Sequence, residues 1–181
     1  MIVAVFGSAS PKPGDKLYQL AFDLGQALGK AGYQVMTGGY CGTMEATCKG
    51  ARQTARAHTI GVTCDEIEAY RPGSANAYVL KEIRTQTLSE RIDYMIRHAD
   101  AFIALQGGVG TLAEIMLAYN MMIIGAIERK PFVLIGESWA TLGAHFFEEL
   151  EGHVPAFAKE LLIFVDTVEE AVLALKDRNK E

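Results

Sequence analysis

Residues 101–114, AFIALQGGVGTLAE, decide the fold. Ala101 to Leu105 form a short apolar run, the pattern of a strand buried on both faces. The run breaks at Gly107-Gly108-Val109-Gly110-Thr111, and a helical apolar pattern follows at once. Strand, glycine turn and helix start together make an anion site. Glycines let the backbone approach a phosphate without a Cβ in the way, and the helix start presents unpaired N–H groups at the positive end of its dipole. Glu114 follows one turn into the helix. Two readings of it compete: Thr111-x-x-Glu114 fits a capping box, or the carboxylate faces whatever the glycine turn holds.

Working outward, the same alternation repeats along the chain. Apolar runs at residues 2–6, 33–36, 59–63, 131–135 and 162–165 read as further strands. Between them lie helical patterns, including one over about 43–57 with Thr43 as a plausible N-cap and one to His98 opened by the capping box Thr87-Leu88-Ser89-Glu90. The helix after the central strand runs to about Ile124, and another spans 138–150. Thr167-Val168-Glu169-Glu170 caps the last. Residues 65–77 contain Pro72-Gly73-Ser74 and read as a loop that shapes a pocket. Apolar strands alternating with helices call for a parallel sheet covered on both faces, an α/β Rossmann-like doubly wound fold in one domain spanning residues 1–181. That order sets the first strand beside the central one, so Gly7-Ser8 and the 107–111 turn open into one crevice at the carboxyl ends of the strands. A second glycine turn, Gly38-Gly39-Tyr40-Cys41-Gly42, follows the second strand.

Composition narrows the function. The 181 residues are 50% hydrophobic and 22% charged with a formal charge of −5, and the pI is near 5.4. No basic cluster suggests nucleic acid, and no apolar run reaches the roughly 18 residues that cross a membrane. Cys41, Cys48 and Cys64 form no C-x-x-C pair and fit reduced thiols in a cytoplasmic protein. The four histidines are scattered, so neither a metal site nor a cofactor is expected. Gly108-Val109-Gly110-Thr111-Leu112-Ala113 formally matches a dinucleotide fingerprint but follows the central strand instead of the first, which favours a mononucleotide phosphate over NAD. Arg91, alone, reads as a solvated helix arginine. Met116 to Ile124 is apolar on more than one helical face, which predicts a homodimer built across this helix.

Gly107-Gly108-Val109-Gly110-Thr111-Leu112-Ala113-Glu114 resembles the PGGxGTxxE motif of the LOG (lonely guy) family, and Thr87 to Arg91 lies where that family carries MxxRK. The Gly7 to Ser10 loop and the Gly38 to Met44 turn extend the resemblance over nearly the whole chain. It implies hydrolysis of cytokinin or adenosine 5′-monophosphates to base and ribose 5-phosphate by a homodimer or larger assembly. Arg91 and Glu114 would be catalytic. Gly107, Gly108, Gly110 and Thr111 would bind phosphate, with Ser8 and Gly39 completing the nucleotide site. The chain departs from the motifs at Gln106 (proline), Ile92 (lysine) and Leu88 (methionine), and carries Glu45 where relatives have a small residue. Molybdenum cofactor carrier proteins share a similar fold and bind without hydrolysing, which sets the alternative.

Overall fold

A computed structural model describes residues 1–54 and 58–177. Seven strands form one sheet: β1 (Ile2–Phe6), β2 (Gln34–Thr37), β3 (Thr59–Cys64), β4 (Lys81–Thr85), β5 (Ala101–Ala104), β6 (Phe132–Ile135) and β7 (Ile163–Val165). All are parallel, in the order β4-β3-β2-β1-β5-β6-β7. The helices are α1 (Lys16–Lys30), α2 (Thr43–Ala51), α3 (Asp65–Tyr70), α4 (Leu88–His98), α5 (Val109–Ile123), α6 (Glu137–Glu149) and α7 (Val168–Asp177).

Successive strand residues point to opposite faces, and here both faces are buried. Ala4, Phe6, Met36, Phe102 and Phe132 pack on one side with Ile92, Met95 and Ile96 of α4 and Ile115 and Met122 of α5. Val3, Val5, Val35, Ile103 and Val133 pack on the other with Leu24 and Leu28 of α1, Ala46 of α2 and Leu175 of α7. This double burial is why the strands read as unbroken apolar runs.

Helices α1 and α2 touch backbone to backbone. A methyl group added at Gly25 would be driven into the carbonyl oxygen of Thr47, and one at Gly50 into that of Phe22.

Four expectations change. Strand β4 adds to the strands that the sequence predicts: its sequence, Lys-Glu-Ile-Arg-Thr, is polar because it forms a sheet edge where side chains stay exposed or half-buried. Residues 65–70 form α3, none of them buried. Helix α2 stops at Ala51; residues 52–54 turn away, and residues 55–57 of the expected helix lie outside the described residues. Gly42, not Thr43, takes its N-cap position, since the Thr43 hydroxyl donates instead to the Ser8 carbonyl at 3.0 Å. The capping box at Thr87 and Glu90 forms as expected.

Candidate active site

The carboxyl ends of the central strands and the start of α5 enclose a cleft of about 350 Å³, a size suited to a small-molecule ligand. Its floor is the turn from β5 into α5. Gly108 holds the N-cap position without a side chain to donate to, and the first turn carries no acid. The first intrahelical bond runs from the Leu112 amide to the Gly108 carbonyl at 2.9 Å. The amides of Val109, Gly110 and Thr111 therefore precede the helical ladder and remain available. A methyl group added at Gly108 or Gly110 would meet nothing within 4 Å. The start of α4, by contrast, is closed by its own Thr87 and Glu90.

Ser8 ties the neighbouring loops to this floor. Its amide donates to the Gln106 carbonyl at 3.3 Å, and its carbonyl accepts from the Thr43 amide at 2.9 Å. The three loops ending β1, β2 and β5 are thus joined by backbone bonds.

At the back of the cleft Arg91 meets Glu114. Arg91 Nη1 lies 3.2 Å from Glu114 Oε1, and Arg91 Nε donates to the Val62 carbonyl at 2.7 Å. The two residues are only 5% and 7% exposed. Burial pushes the Glu114 carboxyl above the usual range, and the Arg91 guanidinium partly opposes the shift. The solvated-arginine reading of Arg91 is therefore overturned: the side chain turns inward across 23 residues of sequence to reach its acid. The capping-box reading of Glu114 falls as well, because the cap position belongs to Gly108 and the carboxylate reaches Arg91.

Of the residues singled out from sequence, Ser8, Arg91, Gly108, Gly110, Thr111 and Glu114 line this one cleft. Gly107 faces an adjacent shallow hollow with Ser10, Pro11, Asp15 and Gln106. Gly39 lies against β3, close to Gly61, and its carbonyl accepts from the Asn76 side chain at 2.9 Å. Tyr40, Met44, Ile67, Arg71 and Leu88 also line the cleft. Ile67 and Arg71 come from the segment expected to shape a pocket; nothing in the sequence distinguished Tyr40 beyond its place in a glycine turn. Among the described residues, no cluster of histidine, cysteine, aspartate and glutamate could hold a metal ion.

The cytokinin riboside 5′-monophosphate phosphoribohydrolase of Mycobacterium tuberculosis is 35% identical over 177 residues, covering 95% of this chain and 91% of that protein. The phosphoribohydrolase of the same name from Mycobacterium marinum is 32% identical over 180 residues, covering 95% and 91%. Among solved structures, the molybdenum cofactor binding protein of Rippkaea orientalis superposes with a TM-score of 0.76 at 24% identity, over 98% of this chain and 96% of that one. At that identity the likeness speaks for the fold. The model of the SLOG cluster4 family matches residues 1–152. With a family match over most of its length and LOG phosphoribohydrolases as relatives, the chain belongs to the SLOG cluster4 family.

Proposed function

We propose that the protein hydrolyses the N-glycosidic bond of a nucleoside 5′-monophosphate, of the cytokinin riboside or adenosine type, to free base and ribose 5-phosphate. The observation that carries this reading is a buried Arg91–Glu114 pair set one turn inside an uncapped helix start. The names of the relatives support the same chemistry. The 5′-phosphate accepts from the amides of Val109, Gly110 and Thr111, which brings the ribose toward Glu114. As the bond to the base lengthens, the ribose gains oxocarbenium character. The Glu114 carboxylate stabilises that cation or draws the proton from the attacking water, whose oxygen adds to the anomeric carbon while the base leaves with the bond's electron pair and takes up the proton that the water gives up. Arg91 favours the ionised form of Glu114 against the cost of burial. The carboxylate, helix amides and arginine account for these steps without a cofactor. Cytoplasmic location and a single domain over the whole chain belong to this reading.

Incubation with a panel of nucleoside 5′-monophosphates and the matching nucleosides, with chromatography of the products, tests the proposal. Even two of these three charge-assisted bonds to phosphate, at roughly 1.5–3 kcal/mol each, correspond to a preference for the monophosphate of about 100-fold or more in kcat/KM. Equal cleavage of the unphosphorylated nucleosides would remove the phosphate anchor. Tight binding of a pterin-type cofactor without any release of base would favour the carrier alternative.

The reading includes a homodimer. Leu117 of α5 and Ile124 just past its end are open to solvent, and beside α6 the helix borders an apolar groove containing Leu112, Met116, Leu142, Phe146 and Phe147. Exposed apolar surface of this extent on a small protein favours an interface. Light scattering should give twice the 19.7 kDa chain mass; a monomer at micromolar concentration would sink this part of the proposal.

A further inference from the structure

One aromatic residue of the cleft carries a framework of its own. Tyr40 is 6% exposed. Its hydroxyl accepts from the Cys64 amide at 2.9 Å and lies 3.2 Å from the Cys64 carbonyl and 3.4 Å from Glu68 Oε1. Glu68 is anchored in turn by Arg84, at 2.7 Å. The far end of the ring is thus pinned to the end of β3 and to α3, while its face looks onto the Arg91 guanidinium, with Cζ 5.9 Å from the ring centroid.

The other sides of that guanidinium are also bounded. Val62 takes Nε and Glu114 takes Nη1. At Gly38 the backbone passes so close that an added Cβ would be driven into Nη2. We propose that Tyr40 is a positioning residue: its ring forms the wall that keeps the Arg91 guanidinium turned toward Glu114, and so maintains the ion pair on which the hydrolysis depends. The consequence for catalysis rests on the reading above; the positioning does not. A centroid distance near the ~6 Å limit of cation–π contact makes the ring chiefly a wall and only secondarily a source of attraction. A leucine fills part of the space but lacks the flat face of a ring, so the guanidinium gains room to turn.

The groups that face the pair are few. Arg91 comes from α4 and Tyr40 from the turn after β2, Arg71 follows α3, and Glu68 stands behind the Tyr40 hydroxyl. The β1 loop brings Gly7, Ser8 and Ala9, and α2 brings Met44. A change in the titration of Glu114 on substituting Tyr40 therefore reports mainly on Arg91.

The test is a carbon-13 NMR titration of the Glu114 carboxyl in the protein without ligand, alongside kcat and KM for base release and a melting curve for the fold. Tyr40→Leu should raise the Glu114 midpoint by at least about half a unit and lower kcat by about tenfold with little change in KM. Tyr40→Phe keeps the ring and should recover most of both losses. An unshifted Glu114 midpoint in a folded Tyr40→Leu variant overturns the proposal. So does Tyr40→Phe behaving as badly as Tyr40→Leu, which would assign the effect to the hydroxyl. Should the wild type release no base at all, the proposed hydrolysis fails, and the titration still decides whether Tyr40 positions Arg91.

Discussion

Glu114→Gln should lower the turnover of a nucleoside 5′-monophosphate by about 100-fold or more, the scale typical of losing an acid–base or electrostatic group. Phosphate binding should survive, because the donors are backbone amides of Val109, Gly110 and Thr111 and glutamine changes none of them. The fold should survive at a cost. Glutamine still offers an oxygen to Arg91 Nη1, but the guanidinium then lies buried, 5% exposed, without its counter-charge. The cost should stay below about 3–5 kcal/mol, that of removing one partner of a buried ion pair outright, because that oxygen still accepts the hydrogen bond. A melting curve, a monophosphate titration and a base-release assay on one sample separate the three effects. Full activity in the variant would refute a catalytic role for Glu114.

Arg91→Ala should be the more damaging change to stability, and its damage should depend on pH. Removing one partner of a buried ion pair leaves the other uncompensated, at a cost of about 3–5 kcal/mol. The Val62 carbonyl also loses the donor that meets it at 2.7 Å. Burial already raises the Glu114 carboxyl above its ordinary 4.5, with Arg91 as the opposing influence; without the arginine it rises further. The direction follows from proton linkage. Between the unfolded value and the raised folded one, the folded state binds more protons, so stability falls as pH rises through that window. The variant should therefore melt closest to wild type near the ordinary 4.5 and fall progressively behind it as the pH rises above that value. Its activity should fall as well, since a further rise enlarges the protonated fraction, and a protonated Glu114 can neither stabilise a cation nor accept a proton from water. A melting deficit independent of pH would show that Glu114 is not the group left uncompensated.

Which parts of this molecule could be read from sequence follows from what the residues face. The strands buried on two sides betray themselves as apolar runs, and Thr87 with Glu90 announces a helix start that forms as written. Strand β4 does not, because Lys81, Glu82 and Arg84 sit at an edge and look like a loop. The turn between β5 and α5 is legible from its glycines. The roles of Glu114 and Arg91 were harder to read. A threonine three residues before a glutamate fits a cap and a binding site alike, and the placement of Gly108 at the cap removes the first of these readings. Arg91 looked solvated because its partner lies on another helix; no local pattern encodes a contact made across the face of a sheet. Tyr40 was hidden for the same reason, since its hydroxyl is held by Cys64 and Glu68, more than twenty residues away.

The close contact of α1 and α2 has a consequence for anyone engineering heat resistance into this protein. Replacing glycine by alanine inside a helix is a standard stabilising exchange, with an intrinsic gain of about 1 kcal/mol. By that rule Gly25 and Gly50 would head the list of sites to change. Here the added methyl would wedge against the Thr47 or Phe22 carbonyl and force the two helices apart. Those helices follow the loops that carry Ser8 and Tyr40, and Thr43 at the start of α2 bonds the Ser8 carbonyl. A thermostability library filtered on helix propensity would therefore enrich for substitutions that spread the mouth of the cleft, and its losses in activity would map to positions with no contact to any ligand.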